Sequence, residues 1–111
     1  MDSYQVIMTQ DAADDLVELR DYIAYSLYAR DTALMYIKAI REEIGSLSVM
    51  PGRNALIADE PWRSRGIRRT IVKNFYIYYR INEKSKSVYV LNVIYARRDQ
   101  LKTLASTRND F

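Results

Sequence analysis

Neither cysteine nor histidine occurs among the 111 residues, and each absence removes a class of chemistry. Without cysteine there is no disulfide framework and no thiol nucleophile. Without histidine, Ser-His-Asp and Cys-His catalysis are excluded, as is any zinc site built on Cys or His ligands. A carboxylate metal site stays formally open, and no cofactor is expected. Acid–base chemistry has only Lys, Arg, Tyr, Asp and Glu to draw on. No run of about 18 apolar residues exists to span a membrane. The opening Met1-Asp2-Ser3-Tyr4-Gln5 has neither the basic nor the apolar region of a signal peptide. These absences predict a cytoplasmic protein with no membrane partner.

What is present suits one compact domain over residues 1–111, with an ordinary hydrophobic fraction of 49% that argues against a disordered chain. Charge is unevenly placed. Residues 1–56 hold five basic and nine acidic side chains, a net −4, whereas residues 57–111 hold twelve and five, a net +7. Such asymmetry points to a polyanionic partner, nucleic acid or an acidic protein, rather than a small-molecule substrate. Arginine outnumbers lysine in the basic half, and arginine favours bidentate contacts to phosphate and carboxylate.

Periodicity predicts the elements. Tyr4 to Met8 reads as an opening strand, and Thr9 or Asp11 as the cap of a helix. Ala12, Leu16, Leu19, Ile23 and Leu27 form one apolar stripe of that helix, which is expected to stop near Ala29-Arg30. Asp31 is placed to cap a second helix with the stripe Ala33, Ile37, Ile40, Ile44 and Leu47, ended by Pro51-Gly52. Asn54 to Ser64, with Pro61, reads as a loop. Ile67 to Val72 is a strand. Phe75 to Ile81 alternates, with Phe75, Ile77, Tyr79 and Ile81 on one face and Tyr76, Tyr78 and Arg80 on the other. Val88 to Tyr95 is a further strand, paired with its predecessor across the polar turn Asn82 to Ser87. Gln100 to Ala105 is predicted as a short helix. The fold class is therefore α+β: an N-terminal strand, a two-helix antiparallel hairpin packed on a mostly antiparallel sheet, and a short C-terminal helix.

This order, with Pro51-Gly52-Arg53 after the second helix, carries a resemblance. So do Gly66-Ile67-Arg68-Arg69, Asn74-Phe75-Tyr76-Ile77-Tyr78-Tyr79-Arg80-Ile81 and Val90-Leu91-Asn92-Val93-Ile94-Tyr95-Ala96-Arg97-Arg98-Asp99. Together they resemble the RelE/ParE toxins of bacterial type II toxin–antitoxin pairs over nearly the whole chain. The resemblance implies a growth-arresting toxin wrapped by a cognate acidic antitoxin protein. In one branch such toxins cleave messenger RNA on the ribosome; in another they bind and poison DNA gyrase. Carried over by position, Arg97 stands at the late functional arginine and Arg69 at a basic position of the second strand. Tyr76 stands where the ribonuclease branch has an arginine and the gyrase branch often has an apolar or aromatic residue. Thr103 stands near the place of a C-terminal tyrosine, and Tyr95 near that of a histidine.

Three functions are left open: ribosome-dependent mRNA cleavage, gyrase binding without catalysis, and antitoxin binding alone. For cleavage, the candidate catalytic residues are Arg69, Tyr76 and Arg97, a metal-independent set. Arginines would stabilise the phosphorane, and Tyr76 or Tyr95 would act as base. Arg68, Lys73, Arg80, Tyr95 and Arg98 are candidates for holding RNA or another target. Arg68 and Arg69 face opposite ways in a strand, so one at most lines the Tyr76-Tyr78-Arg80 face. That face either stacks bases or forms a second small core beneath the C-terminal segment. The adjacent carboxylates Asp14-Asp15 and Glu42-Glu43 are read as solvated helix faces.

Overall fold

The computed structural model describes residues 3–26 and 28–96; Leu27, Arg97, Arg98 and the helix expected at 100–105 lie outside them. The chain runs β1 (Gln5–Met8), α1 (Gln10–Asp21), α2 (Arg30–Ser46), β2 (Ile67–Val72), β3 (Phe75–Asn82) and β4 (Ser87–Tyr95). The strands form one mixed sheet of order β1-β4-β3-β2, antiparallel except for the parallel β1–β4 pair. The helices pack on one sheet face, as the α+β reading requires.

Between the two candidate caps, the structure uses Thr9. Its backbone is still extended, as an N-cap requires, and its hydroxyl accepts from the Ala12 N–H while donating to the Val90 carbonyl at 2.7 Å. One side chain thus starts α1 and fastens it to β4. The apolar stripe does its expected work: Ala12, Leu16, Ile23, Ala33, Ile40, Ile44 and Leu47 are buried against Phe75, Ile77, Tyr79, Val88, Val90 and Val93. Each fully buried isoleucine, such as Ile40, contributes about 1.5–3 kcal/mol over an exposed one.

The connection between the helices departs from expectation. α1 ends at Asp21 and widens into a π-helical turn, Tyr22–Ser26, before Tyr28 reverses the chain in a left-handed conformation, φ 51°. Ile23 stays buried while Tyr22 and Tyr25 are exposed, so the stripe alone could not reveal the wider turn. Asp31 is not the cap of α2. Ala29 holds that position without a side-chain bond, and Asp31 sits inside the first turn, where the helix dipole favours a carboxylate.

One member of each carboxylate pair is also not a solvated face. Asp15 Oδ2 accepts from the Val93 N–H at 2.9 Å and from Asn92 Nδ2 at 3.1 Å, joining α1 to β4. Burial pushes its pKa up, against these two hydrogen bonds, which lower it. Glu43 accepts from the Thr70 hydroxyl at 2.9 Å and pairs with Arg53.

Two local features shape the sheet. The β2–β3 turn is Lys73-Asn74, both at positive φ (49° and 67°), the backbone that matches the twist of a two-residue hairpin. In β4 a bulge leaves Leu91 unopposed, because Tyr78 pairs with Asn92 and Tyr79 with Val90. Val90 and Val93, three residues apart, consequently both reach the helix-side core, while Leu91 and Ile94 both reach the outer face. Strict alternation along β4 therefore fails at this point.

Candidate functional site on the outer sheet face

The sheet face turned away from the helices carries the candidate site. On β2, Thr70 bonds to α2 through Glu43. Alternation then places Ile67, Arg69 and Ile71 on the outer face with Tyr76, Tyr78 and Arg80 of β3. Tyr78 is only 1% exposed and forms an outer core with Ile57, Ile67, Leu91 and Ile94, packed against Trp62, Tyr76 and Tyr89. The cover comes from residues 54–66, tied down by the Ile57 N–H to the Ile67 carbonyl at 3.0 Å and the Ile67 N–H to the Trp62 carbonyl at 3.1 Å. The second small core expected on this face thus exists and the loop before β2 covers it; the C-terminal segment expected above it lies outside the described residues. Gly66 makes the loop's entry into β2 possible at φ 80°.

Around this small core the arginines lie on aromatic rings. The Arg69 guanidinium carbon is 4.2 Å from the centroid of Tyr76, which meets Tyr78 edge-on at 6.2 Å. Arg80 lies 5.7 Å from the Tyr89 ring and Arg65 lies 5.1 Å from that of Trp62. The pairs join residues from β2, β3, β4 and the loop on one face, each pair having its cation set on an aromatic ring. Among the described residues neither Arg69 nor Arg80 is held by a carboxylate. Burial raises the Tyr78 pKa, with the hydrogen bond and charge of Arg69 opposing the rise, so even less Tyr78 phenolate is present at neutral pH than for free tyrosine.

The predicted site residues divide between the faces. Arg69, Tyr76 and Arg80 come together on the outer face, with exposed Lys73 at its β2–β3 corner. Arg68 is on the helix side, paired with Tyr79, where its guanidinium donates to the Asn54 carbonyl at 2.6 Å. That geometry gives it a role in fixing the loop. Tyr95 is also on the helix side, its ring 5.3 Å from Phe75. The two tyrosines named as bases are therefore separated by the sheet. Arg97 and Arg98 lie outside the described residues. Sequence reasoning missed Trp62, Arg65 and Tyr89; the run Trp62-Arg63-Ser64-Arg65 inside an otherwise aperiodic loop was the available signal.

The family described as ParE toxin of type II toxin–antitoxin system, parDE, matches residues 6–100. The chain belongs to that family. Its ParE-type fold recurs in solved structures, beginning with a chain of the chromosomal ParDE system from P. aeruginosa. That chain has a TM-score of 0.70 and 21% identity, with 86% of this chain and 98% of that one covered. A chain of the RelBE2 toxin–antitoxin complex from Mycobacterium tuberculosis gives 0.62 and 24%, covering 84% and 98%. An E. coli RelE toxin with two arginines replaced, in the free state, gives 0.62 and 10%, covering 91% and 92%. No curated protein matches the sequence. The family is that of the toxin of a type II toxin–antitoxin system, and the ParDE and RelBE2 structures are of toxin–antitoxin systems. Among the described residues no helix is long and apolar enough to cross a membrane.

Proposed function

We propose that this ParE-family toxin arrests growth by binding and poisoning DNA gyrase, without cleaving RNA, through its outer sheet face. The observation that carries the reading is the distribution of side chains on that face. Arg69, Arg80 and Arg65 supply positive charge on aromatic rings. The face contains no histidine, and the hydroxyl at its centre, Tyr78, is buried with a raised pKa. Tyr95 stands across the sheet. Among the described residues such a surface has binding groups in quantity and no histidine to serve as a base near neutral pH. The residues proposed to contact the target are Arg69, Tyr76, Arg80 and Lys73, with Arg97 and Arg98 on the strength of the family resemblance.

The second reading, cleavage of ribosome-bound message, is favoured by the Arg69–Tyr76 pair, since stacked guanidinium and phenol groups also suit unpaired bases. One experiment separates them. The purified toxin is added in parallel to gyrase acting on relaxed plasmid and to a cell-free translation reaction probed by primer extension. Blocked supercoiling with intact message is the expected result. Cut message with unimpaired supercoiling replaces this reading with the nuclease one.

A further inference from the structure

The helix-side end of the sheet holds an open cleft of about 490 Å³ with a different chemistry from the outer face. Its floor is a run of rings: Tyr36 meets Phe75 edge-on at 5.8 Å, and Phe75 meets Tyr95 at 5.3 Å. Asp15 and Glu18, one turn apart on α1, form its acidic side, and Tyr22 closes the rim. No basic side chain lines the cleft among the described residues. Asp15 uses Oδ2 for β4 and leaves Oδ1 without a hydrogen bond there; the Glu18 carboxylate and the hydroxyls of Tyr22, Tyr36 and Tyr95 likewise have none among the described residues. Among the described residues no basic side chain pairs with these two carboxylates, which lie beside electron-rich ring faces.

We propose that this cleft receives the arginine or lysine side chain of an otherwise apolar segment of a partner polypeptide. Carboxylates on one wall and aromatic rings on another complement an organic cation, which gains from both only when partly desolvated. A cleft of this size with a mainly apolar lining and a few polar groups has the dimensions of a ligand site. The surface outside it argues for a polypeptide over a free amine. Tyr22, which lines the cleft, and its neighbours Tyr25 and Tyr28 are 58%, 62% and 92% exposed along the turn between the helices. That apolar area extends well beyond what a small cation covers. The inference goes beyond the gyrase reading, because it concerns the opposite face of the sheet and requires neither gyrase nor RNA.

The test uses the full chain and two capped peptides of alternating leucine and serine, one with a central arginine and one with citrulline, its neutral isostere. Calorimetry is expected to show the arginine peptide binding about three- to tenfold more tightly, the range a partly desolvated cation on rings and carboxylates provides. Glu18→Gln, on an exposed side chain with no hydrogen bond to lose among the described residues, is expected to erase the difference, and Tyr22→Ser to weaken both peptides. Equal affinities for the two peptides, or a preference that survives Glu18→Gln, overturn the proposal. Binding that emerges only after Arg97 and Arg98 are both changed to glutamine also overturns it, assigning the cleft to the chain's own C-terminal segment. A gyrase assay on Glu18→Gln keeps the two readings apart: loss of the arginine preference with supercoiling still blocked supports this proposal independently.

Discussion

Replacing Arg68 and Arg69 separately by alanine removes the same charge from neighbouring positions, and the structure assigns the two losses to different properties. Arg68 is half-buried on the helix side and donates to the Asn54 carbonyl at 2.6 Å. Beside it Leu56 bridges to Arg68 through the backbone. A hydrogen bond from a charged donor contributes about 1.5–3 kcal/mol, and partial access of water to both groups reduces this to about 1–2 kcal/mol. For a domain near 100 residues that lowers Tm by about 4–15 °C. Arg69 is exposed and lies over the Tyr76 ring; an exposed cation–π contact is worth only about 0.5–1 kcal/mol, so Tm falls by half as much, about 2–8 °C. Gyrase inhibition is expected to run the other way, lost in Arg69→Ala and retained in Arg68→Ala below its unfolding temperature. Thermal unfolding by circular dichroism and the supercoiling assay, run on the same preparations, measure both. If Arg69→Ala is the less stable variant, or if folded Arg68→Ala alone loses inhibition, the assignment of faces is wrong.

Two further outcomes follow from the helix-side contacts. Thr9→Ala removes both the cap of α1 and the hydroxyl bond to the Val90 carbonyl, and urea unfolding is expected to show a loss of about 1–2 kcal/mol that Thr9→Ser largely restores. Asp15 has a folded pKa raised above its ordinary 3.8, chiefly by burial, so the native state holds this proton more tightly than the unfolded chain. Its contribution is favourable in acid and is lost as the pH climbs from 3.8 through the raised value. Asp15→Asn, measured against wild type by urea unfolding at several pH values, is expected to gain stability relative to wild type over that rise; a variant that loses stability relative to wild type over the same rise refutes the assigned direction.

Most of the architecture was legible because it rests on local periodicity. The two apolar stripes required helices that share a third surface, and the alternation from Phe75 to Ile81 by itself separates the two faces of β3. The opposition of Arg68 and Arg69 also followed from strand geometry. Which of them faced the helices was a matter of register, set by the Lys73-Asn74 turn that pairs Arg68 with Tyr79 and Arg69 with Tyr78. The Leu91 bulge left no trace in a β-rich run whose residues Val90 to Ile94 are all buried. Nor did periodicity extend through residues 54–66, because a loop packs by individual side chains; only the folded chain brings Trp62 onto the outer core and Arg65 onto Trp62. The acidic cleft was hidden for the same reason. Asp15 and Glu18 belong to α1, Tyr36 to α2, and Phe75 and Tyr95 to separate strands, so residues up to 80 positions apart in sequence meet only when the helices close onto the sheet. Sequence determined which faces exist, since side-chain direction is a property of each backbone element. Tertiary structure decided what covers each face and which residues meet there, because those contacts depend on register and long-range packing.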